Sequence, residues 1–555
     1  MRRWFASGTP WIWLNAGAVS VCLIMVLGLL ALIAVRGLGH FWPDTLYQTT
    51  YQLPDREAVR VLGAIVDEES RTAVVLRESG FPVPDDLVAA NRILMKQGNR
   101  DLTSRDFVWY LEPFMSELET PVDALTLERR EWGNFYGYLR QVKQAGEVVA
   151  DGPADAWPAL EERLARSNQL LREARVIERY EIGDINQRVE RVRLERRRAE
   201  LADDPSPAEQ AQLQAGFEAR EAALQAEYEA LKERLDALHA LAQRDSVVAE
   251  TMDGRLREIP LAMVVDAYMP NAMSVPQKIG QYFAKIWEFL SDYPREANTE
   301  GGIFPAIFGT VMMVMIMSVV VTPFGVLAAI YLREYAKQGP VTRIVRISVN
   351  NLAGVPSIVF GVFGLGFFVY IVGGSIDQMF YEAALPAPTF GTPGLIWVSL
   401  TLALLTLPVV IVSTEEGLTR IPRAIREGSH ALGATKAETL WKIVVPVAAP
   451  AMMTGLILAV ARAAGEVAPL MLVGVVKLAP NLPVDGVFPY LHMERKIMHL
   501  GFHIYDVGFQ SPNAEAARPL VYATALVLVA IILVLNLSAI AIRNHLREKY
   551  RSDSD

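Results

Sequence analysis

The sequence of 555 residues has a single cysteine, Cys22, and only seven histidines. No disulfide can form within the chain, even in an oxidising compartment. The cysteine and the histidines form no cluster with metal-binding spacing, so we expect no metal site. A G-x-x-x-x-G-K-[ST] phosphate loop is also missing, so we expect no ATP hydrolysis, no catalytic residue and no cofactor. The net charge of −9 argues against a nucleic-acid partner.

Charged residues are absent from long stretches of the chain. Five windows carry none, and a sixth, 443–476, carries only Arg462 and Glu466. Each window is long enough to cross a bilayer core of about 30 Å. The sequence therefore predicts six membrane helices. The five uncharged windows are 11–35, 303–332, 347–376, 383–414 and 520–542.

Basic residues alternate between the predicted loops. Basic residues lie before the first span, in the loop between the second and third, in the loop between the fourth and fifth, and after the sixth. The loop between the third and fourth spans has none. The positive-inside rule then places both termini in the cytoplasm and the long loop outside. The first span is a retained anchor or a cleavable signal; its apolar core exceeds the roughly 7–15 residues of a signal, which favours the anchor.

The spans divide the chain into four segments. We expect an N-terminal helix at 1–40, an outer insertion at 41–300, a five-helix core at 301–545 and a tail at 546–555. Short apolar runs at 62–66, 73–76 and 107–111 predict strands of a small mixed α/β module.

A heptad pattern predicts an antiparallel coiled-coil hairpin at 158–243. Phe217, Leu224, Leu231 and Leu238 recur every seven residues, and the proline-containing stretch 203–207 predicts a tip near Pro205. Five arginines cluster before that tip and form either a solvated face paired with glutamates or a surface for an anion or acidic partner: Arg191, Arg193, Arg196, Arg197 and Arg198.

The segment 427–446 is short, charged and amphipathic, and it lies between two apolar windows. Glu427 offers an exposed charge, Gly433 tolerates a helix break, and Pro446 suits the start of the next helix. The pattern fits a cytoplasmic loop that another protein grips, or a connector that lies on the membrane surface.

Arg462 and Glu466 are one helical turn apart in the fifth window, near its middle. A charge at that depth costs about 2.5–3.5 kcal/mol on insertion scales and usually faces a cavity or a partner. A guanidinium suits phosphate oxygens, and Glu466 can position Arg462 or accept a hydrogen bond from a protonated phosphate. A structural ion pair is the alternative.

The loop resembles the EAA loop of ABC importer permeases, in which E-A-A is followed by three residues, G, nine residues and I-x-L-P. Glu427, Gly433, Ile443 and Pro446 match, whereas Gly428 and Ser429 replace alanines and Val445 replaces leucine. The stretches 301–310, 352–361 and 462–470 resemble phosphate-specific (Pst) permeases, the PstA type more than the PstC type. The resemblance covers 300–545 well, 1–40 loosely, and the insertion not at all.

The resemblance implies a permease subunit of an ATP-driven phosphate importer in a bacterial inner membrane. The expected fold is an all-α polytopic protein with six transmembrane helices of the type I ABC permease fold, carrying a periplasmic insertion. The implied partners are a second, PstC-type permease, an ATPase dimer that binds ATP, a periplasmic phosphate-binding protein, inorganic phosphate and the lipid bilayer. The alternatives are a permease for sulfate or molybdate and a membrane-anchored phosphate-sensing scaffold.

Overall fold

A computed structural model describes residues 7–54, 56–81, 83, 88–201, 207–511 and 514–551. The chain forms two compact units. The membrane unit comprises Met1–His40, Ile303–Asp485 and Leu491–Asp555, and the inserted unit comprises Phe41–Gly302 with Gly486–Tyr490. The tip predicted near Pro205 lies outside the described residues.

The membrane unit has six helical segments long and apolar enough to cross a bilayer, counted over the residues described. The prediction of six spans is therefore confirmed, although several boundaries differ. The spans are Pro10–Gly39, Phe304–Tyr335, Ser357–Phe380, Leu395–Thr419, Lys436–Gly465 and Ala517–His545.

Three predicted boundaries were wrong because prolines interrupt uncharged windows. The third span begins at Ser357, since Pro356 is extended and separates it from an amphipathic helix, Pro340–Leu352. The fourth begins at Leu395, after a proline-containing loop whose Phe390 and Gly391 amides donate to Asp377. The fifth ends at Gly465, because Glu466 is extended and Pro469 follows it.

The inserted unit contains far more β-structure than a small module, so an all-α class fits only the membrane unit. One antiparallel sheet has the order β1-β2-β3-β4, and a second has β10-β5-β6-β8-β9 with β7 on β6. A short pair, β11 and β12, completes the strands described. The strands are β1 Leu46–Tyr51, β2 Val59–Thr72, β3 Ala89–Lys96, β4 Phe107–Leu111, β5 Ala124–Arg129, β6 Phe135–Gln144, β7 Glu147–Asp151, β8 Asp245–Glu250, β9 Leu256–Pro260, β10 Val264–Tyr268, β11 Pro294–Arg295 and β12 Glu300–Gly301.

Two of the three predicted strands are present, at 62–66 within β2 and at 107–111 as β4. The third prediction was wrong, because residues 73–76 begin a short helix. Ala73 and Leu76 are buried and lie three positions apart, whereas Val74 and Val75 are exposed, so one helical face is covered.

The helices of both units are numbered in chain order. They are α1 Thr9–Gly39, α2 Ala73–Glu78, α3 Arg100–Thr103, α4 Pro153–Val176, α5 Ile182–Leu201, α6 Pro207–Gln243, α7 Val275–Ser291, α8 Phe304–Ile330, α9 Pro340–Leu352, α10 Ser357–Phe363, α11 Gly374–Phe380, α12 Leu395–Thr419, α13 Arg423–Ala431, α14 Lys436–Thr439, α15 Val445–Gly465, α16 Leu470–Val473, α17 Leu500–Tyr505 and α18 Ala514–Arg551. Wider π-helical turns join several of them, including Ile177–Glu181, Tyr331–Tyr335, Gly364–Gly373, Leu440–Val444 and Asp506–Gln510.

Helices α4, α5 and α6 lie between β7 and β8, which are both neighbours of β6. The Ser167 hydroxyl lies 3.3 Å from the Ala242 carbonyl oxygen, and Arg220 pairs with Glu195 at 2.9 Å, so the helices run antiparallel. Phe217 and Leu224 of the predicted heptad are buried together with Val192. Whether the hairpin is a regular coiled coil stays a prediction.

The arginine cluster on α5 is largely neutralised within the hairpin. Arg193 pairs with Glu190 at 2.6 Å and Arg197 with Glu200 at 2.9 Å, and Arg196 lies 3.7 Å from Glu221 across the hairpin. This pairing agrees with a solvated, charged helix face rather than with an anion-binding surface.

The fourth span, α12, forms the centre of the membrane unit. Its most apolar window is 67% buried, against 0% for the first and sixth spans. It packs between α8 and α15, and glycines allow close contact: a Cβ at Gly325 would lie 2.6 Å from Val410 Cγ1, and one at Gly455 would lie 2.7 Å from Ser413 Cβ.

We predict that Gly309→Ala lowers the thermal stability of the purified protein, because its Cβ would overlap the Met498 carbonyl oxygen. Overpacking of this kind costs about 1–3 kcal/mol. Gly366→Ala is the matched control, since a Cβ there meets nothing within 4 Å. Equal unfolding temperatures for the two variants in detergent would show that the close approach at Gly309 is unimportant.

Candidate functional site

The segment 427–446 folds as two short helices joined by a tight turn. Gly433 has φ of +87°, a conformation that other residues adopt only with strain. Its amide donates to the His430 carbonyl at 3.0 Å, and the Ala434 amide donates to the Ser429 carbonyl at 3.2 Å. These two bonds form a Schellman motif, which ends α13 and turns the chain towards α14.

The second half of the turn is fixed by a capping box. The Thr435 hydroxyl accepts from the Glu438 amide at 3.2 Å, and the Glu438 carboxylate accepts from the Thr435 amide at 2.9 Å. The Ser429 and Thr439 hydroxyls lie 2.8 Å apart and are both buried. The two helices are therefore fastened to each other, and Ser429, a departure from the alanine of the EAA pattern, supplies one of the fastening groups.

The loop is also anchored to the end of the second span. Arg426 donates to Glu334 at 2.8 Å and to the carbonyls of Ile421 and Leu418 at 2.8 and 2.9 Å. The ammonium group of Lys436 donates to the Glu334 carbonyl and lies 4.6 Å from the Tyr335 ring centroid. Neither anchor was expected from the sequence, because the partners are about a hundred positions apart.

The predicted loop residues occupy three different environments. Glu427 and Gly428 lie on the exposed side of α13, and Glu427 forms no ion pair with any part of the chain that is described. Leu432, which the sequence reading passed over, is 91% exposed beside Gly433. Ile443 is half-buried, and Pro446 lies in the first turn of α15. The turn therefore presents an exposed leucine and an exposed carboxylate at its surface.

Pro446 does not open a separate helix, as the sequence suggested. Helical backbone runs from Lys436 to Gly465, and the π-helical turn Leu440–Val444 precedes Pro446. Proline lacks the N–H that would bond to the carbonyl four residues earlier, so a locally wider turn accommodates it. We name this segment, Lys436–Gly465, the coupling helix.

Arg462 and Glu466 lie together at the end of the coupling helix. The Arg462 Nε is 3.4 Å from the Glu466 Oε1, and the two side chains are 35% and 20% exposed. The expectation that both lie near the middle of a span was wrong, since the helix ends at Gly465 and Glu466 follows it in extended conformation. A cation in the last turn is also favoured by the helix dipole.

The Arg462 guanidinium retains unused donors. Its Nη1 and Nη2 atoms form no hydrogen bond or ion pair with the residues that the structure describes. Glu466 therefore contacts the Nε edge of the guanidinium. A planar guanidinium is a group that suits an oxyanion, and whether Arg462 binds one stays a prediction.

Comparison with known proteins identifies the family. Residues 321–552 match the family model of the binding-protein-dependent transport system inner membrane component. The phosphate transport system permease protein PstA 1 of Mycobacterium tuberculosis (strain CDC 1551 / Oshkosh) is 33% identical over 243 residues, which are 44% of this chain and 71% of the relative. The chain belongs to the PstA family of permeases.

Other matches cover a similar share of this permease. PstA of Yersinia pestis is 31% identical over 251 residues, which are 45% of this chain and 75% of the relative. A solved methionine ABC transporter, MetNI, is 19% identical and covers 49% of this chain and 99% of its own, with a TM-score of 0.32 that is too low to carry an argument. The predicted resemblance is confirmed, and the main segment of the inserted unit, Phe41–Gly302, lies outside the family match.

We predict that Arg426→Gln loosens the loop of this permease, because the largely covered carboxylate of Glu334 would lose its cation. Breaking a buried ion pair costs about 3–5 kcal/mol. Hydrogen–deuterium exchange of the amides in 427–439 should therefore be faster than in the wild type. Arg423→Gln, an exposed position on the same helix, is the control, and equal exchange in the two variants would contradict the anchoring role.

Proposed function

We propose that this chain is the permease subunit of an ATP-driven inorganic phosphate importer. The observation that carries the proposal is the family membership, since three relatives that match 42–45% of this chain are named as phosphate transport system permeases, one of them as a probable one. The matched region includes the loop around Gly433 and the Arg462–Glu466 pair.

A separate ATPase dimer would supply the energy, because the sequence has no phosphate loop of its own. Its docking site would be the turn formed by α13, Gly433 and α14, where Glu427 and Leu432 are exposed. ATP binding would move this turn as a body, since Arg426 and the Ser429–Thr439 contact hold it together. The change in population between two states is the basis of alternating access.

The coupling helix would pass this movement to the anion path. Its first turn belongs to the docking loop and its last turn carries Arg462. The open N–H fork of Arg462 would contact phosphate oxygens, and Glu466 would hold the guanidinium or accept a hydrogen bond from a protonated phosphate. An accepting carboxylate would distinguish protonated phosphate, whose P–OH group donates, from sulfate, which is fully ionised at neutral pH and has no O–H to donate.

The remaining partners follow from the same proposal. A second, PstC-type permease would complete the path, and a periplasmic binding protein would deliver phosphate. The basic loops, such as the one with Arg343 and Arg346, favour cytoplasmic termini and an inserted unit outside a bacterial inner membrane. ATP would bind only to the partner ATPase, so no cofactor is assigned to this chain.

We predict that Gly433→Pro uncouples ATP hydrolysis from phosphate uptake. Proline fixes φ near −65° and removes an N–H, whereas Gly433 has φ of +87° and donates to His430. Glu427→Lys should act similarly by reversing the exposed charge. The measurement is ATPase activity and uptake of labelled phosphate by the reconstituted transporter.

Gly428→Ala is the control for the loop variants. Gly428 is helical, and a Cβ there meets nothing within 4 Å, so coupling should be retained. Normal uptake per ATP in both Gly433→Pro and Glu427→Lys would refute the docking role of the loop.

We predict that Arg462→Lys lowers phosphate uptake about 10- to 100-fold, because a lysine cannot form the two parallel bonds of a guanidinium and one charge-assisted hydrogen bond is worth about 1.5–3 kcal/mol. Glu466→Gln should reduce the preference for phosphate over sulfate in competition assays. A merely structural ion pair would instead lower the amount of folded protein in both variants and leave selectivity unchanged.

A further inference from the structure

Helix α7 of the inserted unit has an apolar face that this unit does not cover. Val275, Ile279, Phe283 and Trp287 follow one another at four-residue intervals, so they share one side of the helix. Their side chains are 65%, 44%, 63% and 71% exposed. An uninterrupted exposed stripe of this kind marks a surface that contacts something other than water.

The opposite side of α7 is fixed to the second sheet. Lys285 pairs with Glu128 at 2.5 Å, Asp266 at 3.0 Å and Glu288 at 2.9 Å. Gln281 donates to Asp266 at 2.6 Å. These contacts prevent rotation of the helix about its axis, so the apolar stripe faces away from the sheet as a fixed feature.

Aromatic residues of α7 also contact Phe41 and Trp42, at the start of the inserted unit. The buried Phe289 ring lies 5.1 Å from Phe41, and Tyr282 lies 5.9 Å from Trp42, which is itself 42% exposed. Exposed tryptophans are typical of the boundary between lipid and water, where the ring is amphipathic. Trp42, Phe283 and Trp287 are therefore the residue types expected at a membrane interface.

The covalent chain links α7 to the first membrane span through Trp42, which contacts Tyr282. Trp42 lies just beyond the first span, which ends at Gly39, and the residues between them reach about 10 Å at most. The second span begins at Phe304, shortly after α7 ends at Ser291. A lipid surface is thus the apolar environment nearest to this helix along the chain.

We propose that α7 lies in the plane of the membrane interface and inserts Ile279, Phe283 and Trp287 among the lipids. In-plane amphipathic helices bind through buried apolar area and, in many cases, through attraction of basic residues to anionic lipids. The charge of Lys285 is already matched by three carboxylates. The other basic residue of α7, Lys278, lies outside the stripe, whose four residues are all apolar. The binding proposed here is therefore that of the apolar stripe, and it does not depend on which anion the permease carries.

Site-directed spin labelling tests this placement. Cys22 is the sole cysteine, so Cys22→Ser gives a background free of thiols. Phe283→Cys is introduced, and the full-length transporter is labelled and reconstituted in phosphatidylcholine vesicles. We expect the label at 283 to collide more often with oxygen, which concentrates in lipid, than with a water-soluble nickel chelate.

Two exposed positions serve as references. Ala284→Cys lies on the same helix away from the stripe and should show less preference for oxygen, and Ala222→Cys on α6 should show the water-exposed pattern. Adding phosphatidylglycerol, an anionic lipid, should leave the rates at which the label at 283 collides with oxygen and with the nickel chelate unchanged. The proposal is overturned if position 283 behaves like 222, if it is shielded from both reagents as under a protein partner, or if oxygen preference requires anionic lipid.

Discussion

The coupling helix, Lys436–Gly465, is the element on which the rest of the account depends. Its first residues are capped by Thr435 and packed against α13, and its last turn carries Arg462. A helix is stiff along its axis because every turn is held by backbone hydrogen bonds. The exposed turn around Gly433, which we propose as the docking site, and the Arg462–Glu466 pair thereby lie at the two ends of one helical segment.

The contacts around this helix would help it to pass on the proposed movement from one end to the other. Arg426 and Lys436 attach the turn to the end of the second span, and Gly455 lets α15 pack closely against Ser413 of α12. Close packing transmits displacement rather than absorbing it. The wider turn at Leu440–Val444 accommodates Pro446, and a second proline, Pro450, lies inside α15.

The features that could be predicted from the sequence depend on residues that are close together along the chain. The absence of charge over long windows predicts six spans, and Gly433 predicts a helix break that the structure realises as a left-handed residue. The sequence could not predict the ends of the spans, because Pro356 and Pro469 break helices inside windows that hydropathy treats as continuous. The family relationship, by contrast, was readable from the loop spacing, which a few residues define.

Long-range pairing accounts for most of what was missed. The two sheets of the inserted unit depend on strands distant in sequence, such as β6 and β8, and no local pattern encodes that pairing. The run 73–76 fits either a strand or a helix, and only the burial of Ala73 and Leu76 decides between them. The Arg426–Glu334 anchor likewise joins side chains that sequence spacing does not relate.

The most direct test of the central claim is a distance measured along the coupling helix in two nucleotide states. Spin labels at Ala437 and Leu458, both exposed, would be separated by about 32 Å of helix axis. The account predicts the same narrow distance distribution with and without ATP in the assembled transporter. A distance that changes by several ångströms on ATP binding would place a hinge at Leu440–Val444 and contradict the transmission of movement by one rigid helix.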